Sequence, residues 1–317
     1  MAPHIVSVGD LVLDVILPVA LPVLPGQHQE SPERRIEPGG AANFMIAARH
    51  MGLEVSAAGA VGEDVFGALI LDGLRSEGVD TAFVVAMPGA SSTLVIALTD
   101  RASGEHTFLG NYGAGPQVNY PDGLDERIAR ADAVFLQGYT LAEERIMPMA
   151  LRSLERAAAA GTPVFLDAGP FLARVSPAII RRVVAGAALL FTTEDEVPLV
   201  SEGRTGEAAY AYLLANGPAT LVVKRGPAGC TIVTQDGAIA LPGYPAQVVD
   251  TSGAGDCFDA AFAAGLLRGL PLADCGRLAN AMGAATVGRA GAGRNAPTCA
   301  DVMAILEKAG DKVEYPC

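Results

Sequence analysis

Residues 250–256 combine residue types that suit phosphate chemistry: they read Asp-Thr-Ser-Gly-Ala-Gly-Asp, and an apolar helical pattern follows. A helix start carries free backbone N–H groups at the positive end of the helix dipole, and small residues let phosphate oxygens approach them. A carboxylate beside such a site, here Asp256, is useful when it takes a proton from an attacking hydroxyl. We therefore expect phosphoryl transfer to an alcohol, with Asp256 as general base. The amides of Gly253, Ala254 and Gly255 are the expected anion hole.

Two other phosphate-binding motifs do not match this segment. A dinucleotide fingerprint needs a third glycine where Phe258 stands, and it follows the first strand of a domain rather than lying near the carboxyl end. The chain also has no Gly-x-x-x-x-Gly-Lys-Ser/Thr sequence, because none of its three lysines follows a glycine. A structural alternative remains open, in which Asp256 caps the helix and the glycines form a turn.

A second group of polar residues lies near the amino terminus. Asp14 is expected at the end of a strand and Asn43 at the start of a helix, with Gly39 and Gly40 before it. Carboxylate and amide side chains beside open backbone suit a ligand with many hydroxyl groups. Each residue also has a structural alternative, with Asn43 as a helix cap and Asp14 in a turn.

Short β-rich runs alternate with alanine-rich helical stretches along most of the chain. This alternation predicts an α/β fold, with a mainly parallel sheet covered by helices on both faces. The predicted strands are residues 5–8, 55–60, 133–137, 163–167, 188–191, 220–224 and 230–234. The predicted helices are residues 42–51, 65–77, 142–160, 177–185, 207–216, 256–268, 272–287 and 299–309.

Two segments do not fit the alternation. Residues 17–38 contain five prolines, and residues 91–111 have the pattern of a β-hairpin. Strands outside a βα rhythm predict a small second sheet, and we expect it to lie over the active site as a lid. The alternative is that both segments are long surface connections.

The composition excludes several classes of protein. Among 317 residues, 35 are acidic and 22 basic, and the formal net charge of -13 disfavours nucleic acid and anionic lipid as partners. Mean hydropathy is +0.34, yet no apolar run approaches the roughly 18 residues of a membrane-spanning helix. The length fits two domains or one large α/β unit.

Cysteine and histidine usage indicates neither a disulfide framework nor a zinc site. The five cysteines are scattered without a Cys-x-x-Cys pair, and the four histidines never occur at metal-binding spacing. The amino terminus lacks the pattern of a secretory signal, so a reducing cytoplasm is the expected compartment. The histidines are expected to be surface or ordinary structural residues.

The two motifs together, Gly-Gly-Ala-Ala-Asn ending at Asn43 and residues 250–256, resemble those of the ribokinase-like carbohydrate kinases, also called the phosphofructokinase B type. The resemblance spans nearly the whole chain and includes residues 61–64, 222–226 and 289–292. It implies that residues 1–317 form one domain. This domain is expected to be a three-layer αβα sandwich with a small β-sheet lid at about residues 15–38 and 91–112. It also implies ATP-dependent phosphorylation of a hydroxymethyl group on a small sugar, such as ribose, fructose or a keto-deoxy sugar acid.

The resemblance implies a role for each matching position. Asp256 falls on the catalytic base, with the amides around Ala254 and Gly255 as its anion hole. The substrate positions are Asp14, Gly39, Gly40, Asn43 and Asp256. The nucleotide positions are Thr193, Glu196, Lys224, Gly226, Gly229, Gly255 and Asn280. Magnesium is expected to arrive with ATP. The expected monovalent cation is K⁺, and the positions that match its site are Asp250, Ser252, Thr286, Arg289, Gly291 and Asn295.

Three positions depart from the family pattern. Thr193 stands where the family usually has the Asn of an Asn-x-x-Glu motif, although Glu196 remains. Met45 occupies a position that usually holds a small residue, and it is expected to crowd the sugar-side helix. Gly138 and Tyr139 follow the strand after which a sugar-contacting Glu is usual, which weakens the expectation of ribose as substrate.

Two other functions remain open beside a sugar kinase. One is a nucleoside kinase of the same family, with Phe108 or Tyr112 of the lid stacking on a base. The other is a non-catalytic sensor of sugar or nucleotide, for which Thr193 is the one supporting feature. The apolar strand of residues 94–98 predicts a homodimer formed through the lid, because a bare strand edge invites pairing.

Overall fold

The computed structural model describes residues 2–103, 106–113, 115 and 117–317. In chain order its strands are β1 (His4–Val8), β2 (Leu11–Val19), β3 (Arg35–Gly40), β4 (Glu54–Gly62), β5 (Asp80–Met87), β6 (Thr93–Asp100), β7 (His106–Asn111), β8 (Ala133–Gln137), β9 (Val164–Asp167), β10 (Leu189–Thr193), β11 (Thr220–Lys224), β12 (Cys230–Thr234) and β13 (Gly237–Leu241). Its helices are α1 (Ala41–His50), α2 (Val65–Ser76), α3 (Leu124–Arg130), α4 (Gly138–Ala142), α5 (Met147–Ala160), α6 (Pro177–Gly186), α7 (Val197–Val200), α8 (Gly206–Asn216), α9 (Ala254–Leu267), α10 (Leu272–Val287) and α11 (Cys299–Ala309). Within the described residues, no helix is both long and apolar enough to cross a membrane.

The larger of two sheets has the strand order β13-β12-β11-β10-β9-β8-β1-β4-β5. Neighbouring strands from β11 to β5 run parallel, whereas β12 and β13 are antiparallel to their neighbours. Because parallel strands share one direction, the carboxyl ends of β1 and β8 to β11 meet at the same edge of the sheet. The prediction of a mainly parallel sheet is confirmed.

Side chains along each strand alternate between two hydrophobic cores, as the pleat of a strand requires. In β11, Leu221 and Val223 pack into a core shared with α3, α5, α6 and α8, whereas Val222 packs into a core shared with α1, α9 and α10. The large sheet therefore lies between two helical layers, and the predicted three-layer αβα architecture is confirmed.

The prediction of one helix over residues 142–160 is wrong, because the structure has α4 and α5 with a turn between them. Pro148 is at the second position of α5. A proline inside a helix removes a backbone donor and clashes with the carbonyl four residues earlier. Helix α5 therefore begins at Met147, and the short α4 follows directly after β8.

The two segments outside the alternation form a second sheet, here called the small sheet, with the order β3-β2-β6-β7. Strands β6 and β7 pair as the predicted hairpin, of which Gly104 and Glu105 lie outside the described residues. The sheet begins at Leu11, because β2 follows β1 after two residues. Residues 20–34, between β2 and β3, contain neither helix nor strand.

The carboxyl-terminal segment corrects the expectation of a chain without disulfides. Cys299, the first residue of α11, is bonded to Cys317, with 5.5 Å between their Cα atoms. The side chain of Tyr315 is 8% exposed, and its hydroxyl donates to the carbonyl oxygen of Met51. The chain beyond α11 therefore packs back against the end of α1, which brings together two cysteines that are 18 residues apart.

Candidate active site

A cavity of about 480 Å³ lies at the carboxyl ends of the central parallel strands. The last residues of β9, β10 and β11 line it, and so does the start of α9. The residues predicted from the sequence that line this cavity are Thr193, Glu196, Lys224, Gly226, Gly229, Gly253, Ala254, Gly255, Asp256 and Asn280. The fold thus gathers the predicted nucleotide and anion-hole residues at one place.

Helix α9 begins two residues earlier than predicted, because Gly253 is its N-cap with a φ of 69°. A side chain at Gly253 would overlap the methyl group of Ala292, so glycine is needed for space as well as conformation. The amide of Ala254 donates weakly to the carbonyl of Thr251 at 3.3 Å. Among the described residues, the amides of Gly253, Gly255 and Asp256 have no acceptor. These free donors can bind an anion at the positive end of the helix.

Asp256 lies in the first turn of α9 and does not cap the helix with its side chain, so the capping alternative is wrong. One carboxylate oxygen accepts from Gln137 Nε2 at 2.6 Å, and the other accepts from Asn43 Nδ2 at 3.2 Å. Burial and, less strongly, the nearby Asp167 carboxylate raise the pKa of Asp256 to about 7, against the lowering effect of Lys224 and the two amides. A carboxyl group of this pKa can accept and release a proton near neutral pH.

The ammonium group of Lys224 is bound by two carboxylates. Its Nζ lies 2.8 Å from Asp167 Oδ1 and 3.1 Å from Asp259 Oδ2. Burial alone would lower the pKa of Lys224, but these two carboxylates outweigh it and hold the pKa above its usual value. Lys224 lines the cavity, and its charge compensates protein carboxylates at the cavity wall.

The predicted substrate residues other than Asp256 lie on three elements, β2, β3 and α1. Asn43 is the third residue of α1, and its Oδ1 accepts from the amide of Gly293 at 2.9 Å. The N-cap of α1 is Gly40, so the interpretation of Asn43 as a cap is wrong. A side chain at Gly39 would overlap the Asp14 carboxylate, so glycine lets Asp14 occupy this space.

The expectation that Asp14 ends a strand, or lies in a turn, is wrong. It is the fourth residue of β2 and pairs with Glu37 of β3, because the chain continues from the large sheet into the small sheet at this point. Burial, and then the carboxylates of Asp256 and Asp250, raise the pKa of Asp14 to about 7. Asp14 therefore faces the same space as Asp256, although it comes from a different sheet.

The six predicted cation-site residues lie around the loop between α10 and α11. Asp250 is 1% exposed, and its oxygens accept from the amides of Ser252 and Gly291. Ser252 Oγ is buried without a hydrogen-bond partner. Asn295 donates to the carbonyl of Ala290, which holds the same loop in shape.

Like Asn295, two more of the six side chains are turned to partners outside the set. The guanidinium of Arg289 forms an ion pair with Asp301 at 2.9 Å, and Thr286 Oγ1 donates to the carbonyl of Met282 within α10. Asp250 and Ser252 are linked directly, because the Ser252 amide donates to Asp250 Oδ1 at 2.9 Å. Within the described residues, no group of three or more His, Cys, Asp or Glu side chains could hold a metal ion.

The fold is shared with known proteins, and the sequence profile described as pfkB family carbohydrate kinase matches residues 2–299. The chain belongs to this family. It is 34% identical over 314 residues to the ATP-dependent ribose-1-phosphate kinase of Halopiger xanaduensis, which covers 97% of this chain and 99% of that protein. It is 31% identical over 326 residues to fructokinase-1 of Zea mays, covering 96% and 98% of the two chains. The structure of Arabidopsis thaliana ribokinase with ribose and ATP matches with a TM-score of 0.82 at 26% identity, covering 97% of this chain and 99% of that one.

As a pfkB family member, the chain is an ATP-dependent carbohydrate kinase. The alternative of a non-catalytic sensor is therefore set aside. Thr193, which departs from the family pattern, is joined to Glu196 of the same motif. The Thr193 backbone amide donates to Glu196 Oε2 at 2.9 Å. Burial and the Asp167 carboxylate raise the pKa of Glu196.

Asn280 and the glycine turn shape the wall of the kinase cavity. Asn280 Nδ2 donates to the carbonyls of Leu241 and Pro242, at 3.4 and 3.0 Å. Gly229 has a φ of 89° and packs so tightly against this same segment that a side chain there would overlap it. These predicted nucleotide positions therefore determine the backbone path that borders the cavity.

The two remaining departures from the family pattern have different outcomes. Met45 is completely buried in the hydrophobic core and is absent from the cavity lining, so it fills the core behind the sugar-side helix. Tyr139 does line the cavity, and its ring packs on Phe171 with 4.7 Å between ring centroids. Gly169 lies against this ring, where a side chain would press on it.

Sequence reasoning missed three polar residues of this kinase site: Gln137, Asp167 and Asp259. Gln137 and Asp167 are the last residues of β8 and β9 and occupy paired positions in the sheet. A polar residue at the end of a buried strand was the available signal for both. Asp259 lies one turn after Asp256 in α9 and carries no such signal.

Proposed function

We propose that this kinase transfers the γ-phosphoryl group of ATP to a hydroxymethyl group of a small sugar, in the ribose, fructose or keto-deoxy sugar acid class. The observation that carries the proposal is the position of Asp256. Its carboxylate lies in the first turn of α9, where the amides of Gly255 and Asp256 have no acceptor among the described residues. A proton acceptor beside a set of free N–H donors is what phosphoryl transfer to an alcohol needs.

In this mechanism Asp14 and Asn43 hold the hydroxyl groups of the sugar, and the backbone of Gly39 and Gly40 lies beside it, with Gly39 leaving space for the Asp14 carboxylate. Asp256 takes the proton of the attacking hydroxyl while that oxygen bonds to phosphorus and the bond from phosphorus to the ADP oxygen breaks. General base catalysis of this kind contributes about 10²–10⁴-fold. The free amides at the start of α9 donate to the transferring group, and each well-placed donor is worth about 3 kcal/mol.

Two cations fit the charge distribution. A divalent ion that arrives with ATP, Mg²⁺ in our proposal, would relieve the repulsion between Glu196 and Asp167 that raises the pKa of Glu196. A monovalent ion, K⁺ in our proposal, would suit Asp250 and Ser252. Among the described residues, the buried Asp250 carboxylate has no basic partner and the buried Ser252 hydroxyl has no hydrogen-bond partner. Either ion would supply positive charge beside the bound phosphates.

The small sheet is proposed to act as the lid. His106 Nδ1 in β7 lies 3.5 Å from Thr251 Oγ1, so the small sheet reaches the loop before α9. The expectation that residues 94–98 form a bare edge is wrong, because β6 lies between β2 and β7 in the small sheet. The edge strand is β7, and its Phe108 and Leu109 are 51% and 54% exposed. This edge supports a homodimer formed through the lid, and light scattering at micromolar concentration tests it: a monomeric mass would contradict the dimer.

A nucleoside is the second candidate acceptor, because aromatic rings gather beside the cavity. The ring centroid of Phe171 lies 4.7 Å from that of Tyr139 and 6.0 Å from that of Tyr112, which directly follows β7. Such rings can stack on a base. Tyr139→Leu would lower the affinity for a nucleoside acceptor far more than for a simple sugar.

An ADP-release assay on the purified protein tests the proposed function. The panel contains ribose, fructose, keto-deoxy sugar acids, nucleosides and ribose 1-phosphate, each with and without K⁺ and Mg²⁺. Turnover of a small sugar that is lost in Asp256→Asn supports the proposal. Turnover of nucleosides alone would favour the second candidate, and normal turnover by Asp256→Asn would show that the base is another group.

A further inference from the structure

Gln137 contacts Asp256, and it has no role in the mechanism described above. It ends β8, a central strand of the large sheet, and its side chain is 2% exposed. Its Nε2 donates to Asp256 Oδ1 at 2.6 Å, which is the shortest hydrogen bond that Asp256 makes in the described structure. A buried amide aimed at a carboxylate forms a charge-assisted hydrogen bond.

The two oxygens of Asp256 are held from two different elements. Gln137 reaches one oxygen from β8, while Asn43 reaches the other from α1. Asn43 is itself anchored at its other end by the amide of Gly293. With a donor on each oxygen, the carboxylate cannot rotate without losing a hydrogen bond, so its free lone pairs keep one direction.

The charged and titratable groups around Asp256 make this amide important. The groups that interact with the Asp256 carboxyl through their charge are Asp167 of β9, Lys224 of β11, Asp14 of β2, Tyr139 of α4, and Cys257 and Asp259 of α9. Lys224 is the one cation in this set, and it is already bound by Asp167 and Asp259. The Lys224 charge still favours the ionised form of Asp256, and the amides of Asn43 and Gln137 are the donors in direct contact with its oxygens.

We propose that Gln137 is a positioning residue of the phosphoryl transfer: its amide orients the Asp256 carboxylate and keeps it ionised. This inference rests on the proposed role of Asp256. Its neighbour in the sheet supports it, because Gln137 is paired with Asp167 and so places a neutral donor directly beside a carboxylate. A glutamate at this position would add a further negative charge to the site.

The test is the dependence of kcat/KM for the sugar on pH from 5 to 9, in wild type and Gln137→Met. Methionine keeps the length of the side chain but has no donor. Loss of a hydrogen bond to an ionised group shifts its protonation by about tenfold or more. The variant is expected to be slower by about tenfold at pH 6 and about fivefold at pH 7, yet within about twofold at pH 9. The KM for ATP is expected to stay unchanged.

Matched variants distinguish positioning from a general effect on the fold. Gln137→Glu keeps the shape of the side chain and adds a carboxylate. The fall of its kcat/KM on the acidic side is therefore expected at a higher pH than in Gln137→Met. Thr140→Val is the control, since Thr140 is a buried residue three positions further on whose hydroxyl has no partner; its pH profile is expected to match wild type. An equal loss of rate at every pH in both Gln137 variants, or an unmoved acidic limb, would overturn the proposal.

A readout without turnover separates this proposal from the proposed function. The Asp256 carboxyl can be titrated by carbon-13 NMR and assigned by its loss in Asp256→Asn. If no acceptor is phosphorylated but this titration moves to higher pH in Gln137→Met, the proposed function fails while the contact stands. If the titration of Asp256 is the same in wild type and Gln137→Met, the positioning role is wrong.

Discussion

Replacing Gly253 with alanine tests the geometry of the anion hole. A residue at a φ of 69° lies in the left-handed region, which costs an alanine about 1–2 kcal/mol. The added methyl group would also overlap Ala292, and overpacking of this kind costs about 1–3 kcal/mol. The free energy of unfolding should therefore fall by about 2–5 kcal/mol. For a chain of 317 residues this lowers Tm by about 3–8 °C.

The same change should impair catalysis beyond its effect on stability. Relief of the overlap shifts the start of α9 and with it the amides of Gly255 and Asp256, and misplacing one such donor costs about 10²–10³-fold in kcat. Gly161→Ala is the matched control: Gly161 has a φ of 74° at the end of α5, with no atom near its missing side chain. This control should lose about 2 °C in Tm and keep its kcat.

Thermal unfolding and initial-rate kinetics at 25 °C measure both effects. The decisive comparison is between the two alanine variants, since they share the backbone strain and differ in the overlap and in the position of the anion hole. If Gly253→Ala kept kcat within about threefold of wild type, the transferring group would not be bound by the amides at the start of α9.

Three further predictions concern the base, its titration and the disulfide. Asp256→Asn should lower kcat by about 10²–10⁴-fold while the KM for ATP stays near that of wild type; retained turnover would contradict the role as base. Asp256 must be ionised to accept a proton, and its pKa is raised to about 7. Wild-type kcat/KM should therefore fall as pH drops below about 7 and level off above it. The residual rate of Asp256→Asn should not show this fall at low pH. Cys317→Ser should lower the free energy of unfolding by about 3 kcal/mol, because it opens a loop of 18 residues; a dithiol reductant should lower Tm equally in wild type and leave the variant unchanged. An identical Tm for oxidised and reduced wild type would show that the disulfide does not stabilise the fold.

Local patterns were enough to predict most of the elements. Alternating hydrophobic residues and alanine-rich helical runs are properties of short segments, and they place β1, β8 to β12 and the long helices near their observed bounds. The one long helix that was wrong contained Pro148, whose effect on the preceding turn is also local. The disulfide could not be predicted, because Cys299 and Cys317 meet through packing of Tyr315 against α1.

Some residues of the site could likewise be predicted from local sequence, whereas others are brought together only by the fold. Residues 250–256 carry their own signal, since small residues before an amphipathic helix produce free amides wherever the helix lies. Asp14 was expected at a strand end, and only the passage of β2 into the small sheet places it opposite Asp256. Gln137 reaches Asp256 across 119 residues of sequence.

By itself, the sequence determined that a helix start with free amides and a carboxylate stands in a layered α/β fold, because those features depend on neighbours along the chain. The tertiary structure alone decided which groups surround that carboxylate. Parallel strands bring their carboxyl ends to one edge, so Gln137, Asp167 and Lys224 converge there from three strands. Burial of Asp256 and its distances from these groups together determine its pKa, and no spacing along the chain encodes either of them.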